Sequence, residues 1–176
     1  MDVRSGAIRV PPMEAGQMVP IEASFEEFFR DHRRQLFGAL CVVTGDRGEA
    51  EEITQDAFLR VWERWGRVSA MDDPEGFLFR IAMNLFRNRL RRAKVAAGRA
   101  LALRPRTDEL AAVDDRDEML RLLRPLAPRQ RAALVLTGYL GYPSEEAARL
   151  LGIRGATVRA LETQGRRAIR RTEVPS

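Results

Sequence analysis

Cysteine, histidine and lysine each occur only once in this chain of 176 residues. A single cysteine excludes an internal disulfide, and the apolar neighbours of Cys41, Leu40 and Val42, predict a small buried side chain there. His32 stands alone in a charged run, so the sequence offers neither a metal-ligand cluster nor a Ser-His-Asp arrangement. We therefore predict a protein that is not an enzyme, with no catalytic residues, no metal site and no cofactor.

Long apolar runs are also missing, and none reaches the roughly 20 residues that a membrane-spanning helix needs. Residues 1–22 mix charge, glycine and proline without the apolar centre of a signal peptide. We expect a flexible segment there, in a cytoplasmic protein that binds no membrane. Segments with strand periodicity are absent, and apolar residues recur at helical spacing instead. The predicted fold class is all-α.

Helix-start signals divide residues 23–103 into three long helices. Ser24 starts a capping box for the first helix, and Asp46 can cap the second. Asp73 can cap the third, and Pro74 after it suits the first helical position. These residues are predicted to form one helical domain.

The second helix combines an acidic start with a polar face that carries one leucine. Its tryptophans, Trp62 and Trp65, are predicted to lie in the core, because large aromatic residues at helical spacing usually do. The other face suits a protein partner. Its candidate contacts are Gln55, Asp56, Leu59 and Glu63.

The third helix carries charge of one sign, with nine basic residues and no acidic one in residues 80–106. A solvated helix normally mixes both signs, so this run predicts a polyanionic partner. A solvated arginine face with locally satisfied asparagines is the alternative. Two asparagines one turn apart add amides that can hydrogen-bond an unpaired base. The candidate DNA contacts are Arg80, Asn84, Arg87, Asn88, Arg91 and Arg92.

The composition then reverses. Residues 104–117 are predicted to be a flexible linker, since residues 107–118 contain six acidic residues against one arginine. Helical spacing returns in residues 118–172, and residues 119–171 hold eleven arginines against three acidic residues. We predict two small helical domains joined by a flexible acidic linker.

Residues 143–171, PSEEAARLLGIRGATVRALETQGRRAIRR, predict a helix-turn-helix. A short helix stops at Gly152, which tolerates the left-handed backbone of a tight turn, and a second helix resumes near Ala156. Val158 and Gly165 can pack inward. The arginine side suits a phosphate-lined groove, although similar helix pairs that bind nothing are the alternative. The candidate contacts with duplex DNA are Arg154, Thr157, Arg159, Thr163, Arg166 and Arg167.

Taken in order, these segments resemble the extracytoplasmic-function sigma factors, the smallest members of the sigma-70 family of bacterial RNA polymerase initiation factors. Residues 25–65 are similar to the first parts of the family's region 2, whose acidic Gln-Asp-x-Phe helix docks on the polymerase clamp. Residues 73–92 are similar to the segment that melts the minus-ten promoter element and captures its non-template strand. Residues 126–171 are similar to region 4, whose helix-turn-helix reads the minus-thirty-five element.

The resemblance implies a transcription initiation factor that binds core RNA polymerase and directs it to specific promoters. Its DNA partner would be the promoter, as duplex and as melted single strand. An anti-sigma protein is a further partner that the resemblance allows. The loop formed by residues 69–73 would help the basic helix to trap an unpaired base. The alternative is a stand-alone helix-turn-helix regulator, against which the basic run and the acidic partner face argue.

Overall fold

The computed structural model describes residues 21–97 and 121–173, and the regular elements in these ranges are all helical, as predicted. We call α1 to α4 the first lobe and α5 to α7 the second lobe. The predicted linker, residues 104–117, lies outside the described residues. The elements are α1 (Ile21–Thr44), α2 (Arg47–Trp62), α3 (Trp65–Val68), α4 (Pro74–Ala97), α5 (Pro128–Leu134), a π-helical turn (Val135–Tyr139), α6 (Ser144–Leu151) and α7 (Gly155–Glu173).

Aspartate caps begin α2 and α4, which confirms both predictions. Asp46 Oδ1 accepts a hydrogen bond from the Glu49 backbone N–H at 2.7 Å, and Asp73 Oδ1 accepts one from the Gly76 N–H at 2.7 Å. These bonds satisfy donors that a helix N-terminus otherwise leaves unpaired. Pro74 occupies the first position of α4, where its missing N–H costs nothing.

The capping box predicted at Ser24 is wrong, because α1 begins three residues earlier, at Ile21. Ser24 lies inside the helix, and its hydroxyl oxygen accepts a hydrogen bond from the Trp65 indole N–H at 2.9 Å. A buried indole needs such a partner. The hydroxyl therefore joins α1 to α3 instead of closing a helix end.

Buried apolar residues from both lobes form one contiguous core. In the first lobe α1 packs on α2 and α2 on α4, which buries Leu40, Ile53 and Phe79 completely. In the second lobe α5 and α6 both pack on α7, around the fully buried Val158. Each large apolar side chain buried in this way contributes about 1.5–3 kcal/mol. Cys41 is buried among them, as predicted.

The two lobes also pack against each other. α1 contacts α5, and α4 contacts α6. The rings of Phe79 and Tyr142 meet edge to face across this boundary, with centroids 6.1 Å apart. The second lobe is therefore docked on the first.

Replacing Asp73 with alanine should lower the free energy of unfolding by about 0.5–2 kcal/mol, because the first turn of α4 loses its side-chain acceptor. Urea denaturation followed by circular dichroism measures the change. Asp72→Ala is the matched control, since Asp72 is an exposed carboxylate one residue away. Equal losses in the two variants would contradict the capping role of Asp73.

Candidate protein-partner and nucleic-acid interfaces

The candidate partner face lies on the outer side of α2. Gln55 and Glu63 are exposed there, and Leu59 is 56% exposed. Trp65 is buried as predicted, but the prediction that Trp62 lies in the core is wrong, because its side chain is 40% exposed. Trp62 follows Leu59 by three residues, so both lie on the same side of the helix. An apolar pair thus lies within the polar face.

This apolar surface continues onto α1, which was not predicted from the sequence. The ring of Trp62 packs on Phe25 with centroids 4.8 Å apart, and Phe29, one turn further along α1, is 37% exposed. Exposed apolar patches rimmed by polar residues mark interaction surfaces. The available signal was the spacing of four between the two phenylalanines.

Arg89 of α4 contacts two carboxylates of α2. Its Nη1 donates to Glu52 Oε2 at 2.6 Å, and its Nη2 lies 3.5 Å from Asp56 Oδ2. Burial lowers the pKa of Arg89, but the hydrogen bond and charge of Glu52 raise it, and the net shift is upward. The Arg89 guanidinium thus lies next to two carboxylates of α2, Glu52 and Asp56.

The basic side of α4 is exposed along its length. Phe79 and Phe86 are buried on the other side of the helix. Arg87 Nη1 donates to Asn84 Oδ1 at 3.0 Å, so the oxygen of that amide is satisfied within the helix. The exposed candidates are Arg80, Asn84, Arg87, Asn88, Arg91 and Arg92.

The helix-turn-helix has the predicted geometry. α6 ends at Gly152, which has φ +59° and ψ +41°, a left-handed conformation that glycine adopts without strain. α7 begins at Gly155, one residue before the predicted start. Val158 and Gly165 are buried between the helices, as predicted. A Cβ on Gly165 would lie 2.8 Å from Leu134 Cδ1, so this glycine lets α5 and α7 approach closely.

Some of the candidate DNA contacts on and before α7 bond to other groups of the second lobe, and the others lie outside those pairs. Arg159 Nη1 bonds Glu145 Oε1 at 2.9 Å, and Thr163 Oγ1 donates to the Arg159 carbonyl at 2.9 Å. Arg166 Nη2 lies 3.7 Å from Glu162 Oε1. The Arg159–Glu145 pair is exposed and is worth about 0–1 kcal/mol, so a phosphate or base can replace Glu145 at little cost. Exposed candidates outside these pairs are Arg154, Thr157 and Arg167.

Glu162 has a structural position that the sequence analysis did not identify. Its side chain is 15% exposed, and its carboxylate accepts hydrogen bonds from Thr137 Oγ1 at 2.7 Å and from Ser144 Oγ at 3.3 Å. These bonds join α7 to the π-helical turn and to the start of α6. The available signal was an isolated acidic residue in a basic helix.

Glu162→Ala should lower the free energy of unfolding by about 1–3 kcal/mol, because two hydroxyls lose a charged acceptor. Glu145→Ala is the matched control and should cost less than about 1 kcal/mol, since the Glu145 carboxylate is 68% exposed. Thermal and urea unfolding of both variants measure the difference. A smaller loss for Glu162→Ala than for its control would show that Glu162 does not hold the lobe together.

Two classes of site are absent from the part of the chain that the structure describes. No helix there combines the length and the apolarity required to cross a bilayer. Within those same residues, no three His, Cys, Asp or Glu side chains gather as a metal site would require.

Two family models match the two lobes. The model described as Sigma-70 region 2 matches residues 28–95, and the model described as Sigma-70, region 4 matches residues 116–169. The first match covers α2, α3 and most of α1 and α4, and the second covers α5, α6 and most of α7.

Individual relatives extend this likeness over most of the chain. The chain is 32% identical over 138 residues to the ECF RNA polymerase sigma factor SigM of Mycobacterium tuberculosis, covering 78% of this chain and 70% of that relative. It is 32% identical over 158 residues to the ECF RNA polymerase sigma factor SigE of Mycolicibacterium smegmatis, covering 84% of this chain and 60% of that one. Its fold is similar to that of the sigma factor RpoE solved in complex with the anti-sigma factor NepR from Bartonella quintana, with a TM-score of 0.64 and 20% identity, covering 84% of this chain and 95% of that one.

Proposed function

This chain belongs to the extracytoplasmic-function sigma factors of the sigma-70 family, and from that premise we propose that each of three exposed surfaces has its own role in promoter recognition. As a member of that family it is a transcription initiation factor and not an enzyme, and it binds core RNA polymerase and promoter DNA. A stand-alone helix-turn-helix regulator is not favoured, because family matches cover both lobes. One observation supports the division of roles: an apolar and acidic face and two basic faces are exposed on three different helices.

The α2 face is the proposed polymerase contact. Leu59 and Trp62 are apolar anchors within a polar rim of Gln55, Asp56 and Glu63, the arrangement in which a few residues carry most of the binding energy. Arg89 lies 3.5 Å from Asp56, and this pairing limits the side-chain entropy that Asp56 loses when the partner arrives.

Leu59→Arg should abolish co-elution with core polymerase, because a charge replaces an apolar anchor at the centre of the contact. Val95→Arg is the matched control, since Val95 is likewise an apolar residue that is 56% exposed, on α4. Size-exclusion chromatography of each variant with core enzyme gives the answer, and circular dichroism confirms that both fold. A stable complex of the Leu59→Arg variant with polymerase would rule out this face.

The basic face of α4, with the loop of residues 69–73, is the proposed site for the melted minus-ten strand. Asn84 gives its oxygen to Arg87, which leaves the amide N–H groups to donate to a base. Asn88 is one turn further along α4, and the arginines beside both residues follow the phosphates. Trapping an unstacked base offsets part of an unpairing cost of a few kcal/mol, so the promoter opens without ATP.

The exposed side of α7 is the proposed reader of the minus-thirty-five duplex. Thr157 and Arg159 are early in the helix, where side chains reach base edges, and arginine can bond guanine with two hydrogen bonds. Arg154, Arg166 and Arg167 are proposed to contact phosphates, and Thr163 lies one turn after Arg159. Binding through them should weaken as salt increases.

Arg159→Ala should weaken protection of the upstream element by about 1–3 kcal/mol, because one two-bond base contact is lost. Footprinting of the holoenzyme at increasing concentration measures this. Arg149→Ala is the control, since Arg149 is an exposed arginine on α6 outside the candidate set. An unaltered footprint of the Arg159→Ala variant would mean that Arg159 faces solvent.

The whole assignment is tested by transcription in vitro with purified chain, core polymerase and genomic DNA. Transcripts that begin at a defined set of sites are expected, and random starts on every template would overturn it.

We place this activity in the cytoplasm, where polymerase and chromosomal DNA are found. The two proposed domains are residues 23–103 and 118–172. The RpoE neighbour binds an anti-sigma factor, and we propose that this chain also accepts an anti-sigma protein.

A further inference from the structure

One carboxylate of α6 lies against α7 at two places. Glu145 Oε1 accepts a hydrogen bond from Arg159 Nη1 at 2.9 Å. A Cβ built on Gly155, the first residue of α7, would overlap both oxygens of the same carboxylate. The Glu145 carboxylate therefore lies against the start of α7 and reaches the arginine one turn further along. The lack of a side chain at position 155 leaves room for it.

The contact between Glu145 and Arg159 orients a side chain more than it stabilises the fold. The side chains of Arg159 and Glu145 are 58% and 68% exposed, and exposed ion pairs contribute little to folding. A free arginine side chain samples many rotamers. The Glu145 acceptor favours those rotamers in which the guanidinium lies beside it, so Arg159 has a preferred direction before DNA arrives.

This orientation leaves the Arg159 guanidinium able to read a base. A guanidinium carries its N–H donors in a planar fork, and Nη1 gives one of them to Glu145. Nε and Nη2 carry further donors, and a pair of donors from such a fork matches O6 and N7 of guanine. Arg159 can thus bond Glu145 and a guanine edge at the same time.

The charge of Glu145 also acts against phosphate at the start of α7. Helix N-termini attract phosphates through their exposed N–H groups and the helix dipole. The Glu145 carboxylate lies at this N-terminus and repels a phosphate there. Phosphates are present in duplex DNA of every sequence, whereas the guanine edge is present only at certain base pairs. The carboxylate therefore disfavours sequence-independent binding in particular.

We propose that Glu145 is a positioning residue for upstream recognition. It directs Arg159 to a base edge and away from the phosphate backbone, and Gly155 is the position that admits its carboxylate. Glu145 acts through Arg159 and not by contact with DNA. This inference rests on the proposed reading of the minus-thirty-five duplex by α7.

Footprinting of holoenzyme that contains Glu145→Ala tests the proposal. The probes are a promoter fragment obtained by the transcription experiment above and fragments in which each base pair of the protected upstream element is replaced in turn. Discrimination should fall about two- to fivefold, the size expected of an exposed pair, at the base pair that Arg159→Ala ceases to read. Affinity for a fragment with a scrambled upstream element should rise, because a charge that repels phosphates is lost.

Glu146→Ala is the matched control, since it removes the adjacent carboxylate in the first turn of α6. This control should leave the discrimination at every base pair unchanged. Circular dichroism and urea unfolding verify that each variant is folded.

Gly155→Ala is a second variant, which displaces the carboxylate and leaves both members of the pair in the chain. The nearest atoms to a Cβ at this position all belong to the end of the flexible Glu145 side chain, so the helices need not move. The same loss at the same base pair is expected. Gly138→Ala is its control, because a Cβ there has open space around it among the described residues.

The double variant Glu145→Ala, Arg159→Ala separates positioning from direct contact. It should discriminate no worse than Arg159→Ala alone, because Glu145 has nothing to orient when Arg159 is absent. A further loss in the double variant would show that Glu145 acts independently of Arg159 and would overturn the proposal. Equal weakening at all base pairs by Glu145→Ala would overturn it as well.

Failure of this inference is distinct from failure of the proposed function. If Arg159→Ala loses discrimination at one base pair while Glu145→Ala and Gly155→Ala keep it, α7 still reads the duplex and the positioning role is wrong. If Arg159→Ala keeps discrimination at every base pair, the proposed base contact of Arg159 fails, and the role of Glu145 fails with it.

Discussion

The structure depends on α4, which has three different sides. These sides face the hydrophobic core, α2 and solvent. One side of the helix buries Phe79 and Met83 in the core, and on a second side Arg89 bonds Glu52 of α2. Only the remaining side, which carries Asn84 and Asn88, is left to solvent. Because a helix repeats every 3.6 residues, these three roles can alternate along one sequence without interfering. The partner face, the basic face and the boundary between the lobes all depend on this division.

Arginine side chains form several of the polar contacts of this fold, and these contacts differ in how exposed they are. Arg131 is half-buried and donates from each of its three nitrogens to a backbone carbonyl. Arg89 donates to two carboxylates, of which Glu52 is 68% exposed and Asp56 is 49% exposed. Arg159 is 58% exposed and holds a single exposed glutamate. Solvent screens the exposed Arg159–Glu145 pair strongly and the half-buried Arg131 contacts less. The same side chain therefore holds the fold together where it is desolvated and remains available to a polyanion where it is not.

The α2 face stays exposed while the lobes are docked. Leu59 and Trp62 lie away from the boundary formed by α1, α4, α5 and α6. A protein partner can therefore reach this face without any change at the boundary between the lobes.

The sequence by itself determined the helical class, the caps at Asp46 and Asp73, the turn at Gly152 and the charge of each helix. These features depend on local spacing and on the conformational preferences of single residues. Only the tertiary structure decided that Trp62 is exposed while Trp65 is buried, and that the Ser24 hydroxyl serves the Trp65 indole and not a helix end. It likewise decided that Arg131 of the second lobe bonds carbonyl groups at the end of α1. The physical reason is that helical periodicity specifies which residues share a face, whereas the element that covers that face is chosen by packing between distant parts of the chain.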